Sequence, residues 1–197
     1  MKVIVIGATG TIGRAVVQAI GNRHEVIPVS FSKSVIKVDI ADKASITKMF
    51  SATGPVDAVI SAAGLAKFGS MDALTDADFA LGMDNKLMGQ VNLVRLGIQH
   101  INDNGSFTLT SGILSRRPMK GSSAISLVNS ALEGFGRAAA LEMPRNIRIN
   151  IVSPNWVTDT LRAFGMDPSA GTSVEVVARA YVKAFEGTMN GEVIDAF

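Results

Sequence analysis

The sequence predicts a single α/β domain, built as a doubly wound, mostly parallel sheet of about seven strands with helices on both faces. Three observations carry this prediction. The 197 residues are enough for one full core, short β-branched runs alternate with helix-period segments, and a glycine-rich turn directly follows the first of those runs. No linker or internal repeat divides the chain, so we treat residues 1–197 as one domain.

The strands are predicted from short runs rich in Val and Ile that are bounded by turn residues. Helix-period segments separate these runs, and this alternation favours parallel pairing through crossover helices. The predicted strands cover residues 3–6, 26–29, 35–38, 58–61, 106–110, 147–152 and 193–195.

The helices are predicted from apolar side chains at three- and four-residue spacing. The first directly follows the glycine-rich turn. A longer helix is predicted over 78–101, with Thr75 and Asp78 placed as a capping box. A second long helix is predicted over 124–143, where Pro144 forbids continuation.

The composition excludes several classes of protein. Apolar residues make up 47% and charged residues 18% of the chain, which indicates a core-rich globular protein. The net charge is only +2, so nucleic-acid binding is not expected. The chain has no cysteine, no apolar run of the roughly 20 residues that span a bilayer, and no signal-peptide pattern at its start. We therefore expect a cytoplasmic protein with no membrane partner and no metal site.

The strongest chemical signal is the glycine-rich turn between the first strand and the first helix. Glycines there let the backbone approach a pyrophosphate, whose charge is stabilised by free N–H groups at the helix N-terminus. A tight turn in any α/β protein also favours glycine, so the triplet alone leaves that plainer interpretation open. Its place between strand and helix favours a dinucleotide and hence a Rossmann fold. The predicted contacts of this turn are Gly7, Thr9, Gly10, Thr11, Ile12 and Gly13.

The end of the second strand indicates which dinucleotide is bound. An NAD site places a carboxylate there, which bonds the ribose 2′-hydroxyl and repels a 2′-phosphate. This chain instead has Ser30, Ser32 and Lys33 and no acid, and Arg14 on the first helix is a further candidate for a phosphate contact. We therefore expect NADP(H) rather than NAD. The alternative is a solvated turn that contains serine and lysine by chance.

Further motifs, in order along the chain, resemble those of the short-chain dehydrogenase/reductase family. The run at 38–40 resembles its adenine-contacting Asp, and the run at 61–64 resembles its Asn-Ala-Gly turn with Ser61 in place of Asn. The stretch 106–111 resembles the strand that bears the catalytic serine, and 149–155 resembles the sixth strand with Asn155 in place of Gly. The glycine spacing is closer to the extended and atypical branches. The cofactor contacts implied by the resemblance are Asp39, Ile40, Ser61, Ala62, Ala63, Gly64, Thr110, Pro154, Asn155, Val157 and Thr158.

The catalytic positions depart from the family pattern. The Tyr-x-x-x-Lys pair that supplies the family's proton donor would fall at Ile125 and Asn129. Tyr181 is the only tyrosine and lies on the last helix, where we expect a half-buried packing residue with a solvated hydroxyl. Ser111 remains a candidate carbonyl-binding hydroxyl, although its spacing to Ile125 also allows Gly112 to occupy that position.

One compensation is visible in the long helix. Where the resemblance implies an Asn in an Asn-x-x-Gly setting, this chain has Lys86, so lysine and asparagine have exchanged helices. A desolvated ammonium beside a cofactor binds ribose hydroxyls, or acts as an acid if its pKa falls toward neutrality. The alternative is an ordinary surface lysine. The catalytic candidates are Ser111, Lys86 and Asn129.

Two functions remain open. The first is an NADP(H)-dependent oxidoreductase that transfers a hydride to or from a small carbonyl or alcohol substrate. The second is a catalytically weak or inactive NADP(H)-binding protein, such as a redox sensor or regulator. A scaffold that has lost cofactor binding is disfavoured by the intact glycine turn and Asp39.

The chain also carries signals for substrate and assembly. The short segment 159–173, which the resemblance identifies as the substrate lid, has apolar Leu161, Phe164 and Met166 and follows Trp156, so an apolar carbonyl substrate is favoured. Apolar or small side chains on the two long helices predict a homodimer or homotetramer, as the resemblance also implies. The expected interface positions are Val91, Val94, Ile98, Phe135, Ala138 and Ala139.

Overall fold

The computed structural model describes residues 1–163 and 165–197, which form one seven-stranded sheet with every neighbouring pair parallel. The strand order is β3-β2-β1-β4-β5-β6-β7, so the winding direction reverses between β1 and β4. Open α/β sheets bind ligands at such a switch point, and the predicted fold class is confirmed. The strands are β1 (Lys2–Ile6), β2 (Glu25–Ser30), β3 (Ile36–Lys37), β4 (Val56–Ser61), β5 (Ile101–Thr110), β6 (Arg148–Pro154) and β7 (Val193–Ala196).

Helices cover both faces of the sheet because each parallel connection needs a crossover. Short 3-10 turns cover Ile98–His100, Ile113–Ser115 and Pro168–Ala170. The α-helices are α1 (Thr11–Ile20), α2 (Lys43–Thr53), α3 (Asp76–Leu81), α4 (Met88–Gly97), α5 (Ser123–Ala139), α6 (Thr158–Ala163) and α7 (Val174–Glu186).

The core consists of two hydrophobic clusters, one on each face of the sheet. Side chains of β1 alternate between them: Ile4 and Ile6 pack with α2, α4 and α5, whereas Val3 and Val5 pack with α1 and α7. Both faces of the strand are therefore buried, which explains its uninterrupted apolar sequence.

The long helix predicted over 78–101 is divided. Its capping box is present at Thr75 and Asp78, but a π-helical turn, Gly82–Leu87, separates α3 from α4. The helix ends before Ile101, which instead begins β5 opposite Val56 and is 1% exposed. Pairing on the sheet buries this side chain more completely than continued helix would, and here tertiary packing overrides local periodicity.

The helix faces differ from the expected interface. Val91 and Val94 are buried against the sheet, so the prediction that they face outward is wrong. The reason is that α4 lies directly on the sheet and this apolar stripe makes the contact. The other expected positions are half-buried at Ile98, Phe135 and Ala139 and exposed at Ala138.

Candidate active site

One cleft runs along the carboxyl ends of the central strands. Its two halves share the turn after β4, formed by Ala62, Ala63 and Gly64. The half beside β2, which we call the β2 half, encloses about 690 Å³. The half beside β5 and β6, the β5 half, encloses about 300 Å³. The cleft therefore lies at the switch point of the sheet, where the fold places ligands.

The glycine turn forms the floor of the cleft between β1 and α1. Gly7 has φ of +80°, and a Cβ there would lie 2.5 Å from the Ala62 carbonyl oxygen. A Cβ at Gly13 would collide with the Gly7 carbonyl, so this glycine allows close packing of helix and strand. Gly10 is the N-cap of α1 and no side chain caps the helix, whose first turn carries no acid. Its first N–H groups are thus left to an external acceptor, and an anion is favoured there.

The turn after β2 is shaped by Ser30. Its Oγ accepts hydrogen bonds from the N–H groups of Lys33 at 2.9 Å and Ser34 at 2.8 Å. Ser30 lines the β2 half together with Phe31, which is 72% exposed. Arg14 lines a groove between α1 and α7 and is not among the residues that line the β2 half.

The wall of the β2 half comes from the turn after β3. Asp39 and Ile40 line it, and the Asp39 carboxylate accepts a hydrogen bond from Ala41 N–H at 3.0 Å. The Asp39 N–H in turn donates to Ser45 Oγ at 2.9 Å. These bonds fix the carboxylate at the edge of the cleft.

The turn after β4 is tied to its neighbours on both sides. Ala62 N–H donates to the Ile6 carbonyl at 2.9 Å, and Leu65 N–H donates to Asn85 Oδ1 at 2.8 Å. The carbonyl of Ser61 accepts a hydrogen bond from Thr110 Oγ1. The ends of β1, β4 and β5 are therefore held together beneath the cleft.

Lys86, on the π-helical turn, reaches into the β5 half. A Cβ at Gly64 would lie 2.7 Å from Lys86 Cγ, so the lysine stem packs tightly against this glycine. Its Nζ donates to the Ser111 carbonyl oxygen at 3.1 Å. Burial lowers the pKa of Lys86 to about 8 because it disfavours the charged form. Lys86 is half-buried as a residue, and its contact with the Ser111 carbonyl directs the ammonium into the cleft.

Asn129 lies on the other side of the β5 half. Its Nδ2 donates to the Gly112 carbonyl at 3.4 Å, and a Cβ at Gly112 would lie 2.9 Å from that nitrogen. Its Oδ1 is buried and finds no donor in the part of the chain that the structure describes. An unpaired buried acceptor is costly, which favours a ligand donor at this position.

The Ser111 hydroxyl points away from Lys86. It donates to Glu133 Oε1 at 2.7 Å, and the same buried carboxylate oxygen accepts from Ser115 Oγ. Arg116 Nε lies 3.7 Å from Glu133 Oε2. The carbonyl of Ser111, rather than its hydroxyl, is thus the atom that meets the lysine.

Tyr181 differs from expectation. It is 0% exposed, and its hydroxyl is hydrogen-bonded to Thr110 Oγ1. Burial raises the pKa of this phenol well above its usual value. The prediction of a half-buried residue with a solvated hydroxyl is wrong, because Thr110 satisfies the hydroxyl inside the core.

The segment after β6 closes the β5 half. Trp156 lines it, with its ring centroid 5.9 Å from that of Phe68. Leu161, expected in the lid, is 2% exposed and packed inward, whereas Met166 is 43% exposed. Phe164 lies outside the described residues.

Most predicted site residues line this cleft. Six predicted residues do not line it: Thr11, Gly13, Ser32, Lys33, Ser61 and Thr158. Gly13 packs on Gly7, and Ser61 is buried beneath the floor of the cleft. Ser32 and Lys33 are exposed to solvent, and the Thr158 N–H donates to the Thr172 carbonyl. The predicted residues that line it are Gly7, Thr9, Gly10, Ile12, Ser30, Asp39, Ile40, Ala62, Ala63, Gly64, Lys86, Thr110, Ser111, Asn129, Pro154, Asn155 and Val157.

Several residues in or beside the cleft were not singled out from the sequence. Glu133 lies four residues after Asn129, and Gln90 lies four residues after Lys86. This spacing places each pair on one helix face, so it could have indicated both residues from the sequence. Phe31 and Thr160, which also line the cleft, carry no comparable local signal.

Within residues 1–163 and 165–197, no group of three or more His, Asp or Glu side chains is placed to hold a metal ion. No helix in the same ranges is long and apolar enough to cross a membrane.

The parallel sheet, its glycine-rich turn and the cleft at the switch point are typical of dinucleotide-binding proteins, and comparison with known proteins identifies the family. Residues 11–188 match the family model described as enoyl-(acyl carrier protein) reductase. The chain therefore belongs to the short-chain dehydrogenase/reductase family of oxidoreductases, as its motifs predicted.

Individual relatives show how far the similarity extends. The crystal structure of the protein lin1944 from Listeria innocua is 39% identical, has a TM-score of 0.95 and is aligned over 100% of both chains. A small-chain dehydrogenase solved in complex with NADPH is 26% identical, with a TM-score of 0.87 over 99% of this chain and 95% of that one. The NADP-dependent (R)-specific alcohol dehydrogenase of Lentilactobacillus kefiri is 25% identical over an alignment of 170 residues that covers 81% of this chain and 65% of that enzyme.

Proposed function

We propose that this chain is an NADP(H)-dependent oxidoreductase that reduces a small carbonyl compound or oxidises the corresponding alcohol. The observation that carries the proposal is the Lys86 ammonium in the β5 half of the cleft, 3.1 Å from the Ser111 carbonyl oxygen. Its pKa, lowered by burial to about 8, lies near the range in which a side chain is an efficient proton donor.

The cleft residues fit a dinucleotide. Gly7 keeps open a space that a Cβ would fill against Ala62, and the uncapped N-terminus of α1 favours a pyrophosphate. Asp39 and Phe31 line the β2 half, which would take the adenosine. Lys86 and Asn129 line the β5 half, which would take the nicotinamide and the substrate.

NADP(H) is favoured over NAD(H) by the turn after β2. The Ser30 Oγ accepts hydrogen bonds from two backbone N–H groups there, so its own O–H can still donate a hydrogen bond to another acceptor. The residues from 30 to 34 carry Lys33 and no carboxylate that would repel a 2′-phosphate. The NADPH complex of one relative and the NADP dependence of another support this choice.

The mechanism assigns a role to each polar group of the β5 half. The nicotinamide, when bound, supplies or accepts the hydride. Lys86 Nζ donates a proton to the carbonyl oxygen of the substrate, and in the alcohol direction the neutral amine takes it back. The Ser111 carbonyl orients Nζ, and Asn129 Oδ1 accepts a hydrogen bond from a ligand hydroxyl. Ile125, where the family has tyrosine, contributes an apolar wall and no proton.

The substrate side of the β5 half favours an apolar carbonyl compound. Its wall is formed largely by hydrophobic side chains, and apolar walls with few polar groups select apolar ligands. The apolar residues that line it include Ile113, Leu114, Ile125 and Trp156.

A second candidate function is an NADP(H)-binding protein with weak or no turnover, such as a redox sensor. Two observations favour it: Ile125 replaces the usual acid, and the Ser111 hydroxyl is held by Glu133 at 2.7 Å. On this alternative, Lys86 binds the cofactor and transfers no proton.

The deciding experiment measures NADPH binding and oxidation separately. NADPH fluorescence gives the affinity, and absorbance follows its oxidation with a panel of aldehydes, ketones and quinones. We expect the parent and the exposed-lysine control Lys48→Met to bind NADPH and to reduce at least one apolar carbonyl. We expect Lys86→Met to lose that activity. Tight binding without oxidation across the panel would instead support the sensor.

A further inference from the structure

Gln90 is a fully buried residue of α4 that lies four positions after Lys86. Its Nε2 donates to the Lys86 carbonyl at 3.2 Å and to the Thr110 carbonyl at 2.9 Å. Its Oε1 accepts from the Thr110 N–H at 2.8 Å. A glutamine amide offers two N–H donors and one carbonyl acceptor, so each of these groups has a partner in the protein.

These hydrogen bonds link the same two segments that the Lys86 side chain links. The first segment is the π-helical turn, where Gln90 bonds the backbone carbonyl of Lys86 itself. The other is the end of β5 at Thr110, which directly precedes Ser111. The Lys86 Nζ contact with Ser111 spans the same gap between helix and strand. The gap is therefore set by Gln90 as well as by the lysine.

The helix is irregular at this point. Lys86 lies in the π-helical turn Gly82–Leu87, where Met88 N–H bonds the carbonyls of both Asn85 and Met83. π-helical turns are rare and occur mostly as single turns inside α-helices. The side chain of Gln90 adds a bond to the Lys86 carbonyl and ties the end of this turn to the sheet.

We infer that Gln90 is the positioning residue of the Lys86 ammonium. It holds the π-helical turn against the end of β5 so that Nζ lies in the cleft at the Ser111 carbonyl. The use of that ammonium in catalysis rests on the proposed function, but its placement by Gln90 does not.

The surroundings of Lys86 make its pKa a reporter of this placement. The titratable and charged groups on the neighbouring elements are Asp84 on the same turn, Glu133 on α5 with Arg116 beside it, and Tyr181 on α7. Burial is nevertheless the cause that lowers the pKa of Lys86 from its ordinary value of 10.5 to about 8. A lysine released into solvent would return toward the ordinary value.

The test is an NMR titration of the protein labelled with 13C at lysine Cε, with the Lys86 signal assigned by its loss in Lys86→Ala. Gln90→Leu keeps the approximate size of the side chain and removes all three hydrogen bonds. Asn92→Leu is the matched control, because Asn92 is also buried on α4 but its side chain is hydrogen-bonded, among the described residues, to Arg95 alone. We expect Lys86 to titrate near 8 in the parent and the control, and near its ordinary value in Gln90→Leu.

NADPH affinity provides a second readout. In either function the Lys86 ammonium would lie beside the nicotinamide end of a bound NADPH and hydrogen-bond its ribose. Gln90→Leu and Lys86→Ala should therefore each weaken NADPH binding about tenfold, and the double variant should be no weaker than Lys86→Ala. Gln90→Met, with a more adaptable apolar side chain, repeats both measurements if Gln90→Leu does not fold.

Three results would overturn the inference: an unchanged Lys86 pKa in the Gln90 variants, additive losses of affinity in the double variant, or failure of both Gln90 variants to fold. The last would make Gln90 a residue of general stability. A parent protein that oxidises no NADPH, but whose Lys86 pKa rises in Gln90→Leu, would refute the proposed function and leave this inference intact.

Discussion

The rate of carbonyl reduction should depend on pH through Lys86. Burial lowers the pKa of this side chain from 10.5 to about 8, and only the protonated ammonium donates a proton. Half of the molecules lose the donor at a pH equal to that pKa, and roughly nine-tenths lose it one pH unit higher. We therefore expect kcat/KM for reduction to be constant at lower pH and to fall about tenfold per pH unit above about 8.

The same pKa shift predicts how stability changes. Because the folded pKa lies below the unfolded one, the unfolded chain binds more protons between the two values, and the free energy of unfolding rises with pH across that window. Loss of activity above pH 8 is then not caused by unfolding through this group. The two effects have opposite signs, so they can be separated.

The assay measures initial rates of NADPH oxidation from about pH 6 to about pH 10, with denaturant unfolding at each pH. Lys48→Met, at an exposed position on α2, should keep the parent's profile. Lys86→Met should have a low, flat rate. A parent profile that passes through pH 8 without a break, or a break of the same size in Lys86→Met, would refute the assignment of Lys86 as the acid.

Three other predictions follow from the cofactor cleft and the helix surfaces. Ser30→Asp should reverse a preference for NADPH over NADH, because a carboxylate at this turn repels a 2′-phosphate. Titration of the parent and the variant with both cofactors measures the preference, and equal affinities in the parent would contradict the assignment of NADP(H). Gly7→Ala should abolish NADPH binding, measured by NADPH fluorescence, because φ is +80° and the new Cβ would lie 2.5 Å from the Ala62 carbonyl oxygen. The control Gly134→Ala has open space around the new Cβ and should bind NADPH as the parent does. We also expect a homodimer or homotetramer through the outer face of α5, where Ala138 is exposed, and Ala138→Glu should dissociate it. A parent of monomeric mass in light scattering would show that this face does not associate.

Local patterns were sufficient to predict the sheet and the glycine turn. The alternation of strand and helix follows from periods of two and 3.6 residues, and the turn follows from glycines at fixed offsets from a strand, so both can be read from neighbouring residues. The boundaries were less well determined. The spacing of Ile101 fits a helix, but this residue begins β5 because it pairs there with the buried Val56.

The chemistry of the site depended on contacts between residues far apart in the chain. Lys86 could be singled out from the sequence by its place in a motif, but its low pKa comes from burial, and burial was decided by the packing of a π-helical turn against Gly64 and Ser111. Likewise, only the tertiary structure directed the Ser111 hydroxyl to Glu133 and hid Tyr181 in the core beside Thr110. Periodicity specifies which face of an element is apolar, but the partner of a buried polar atom is chosen by three-dimensional packing.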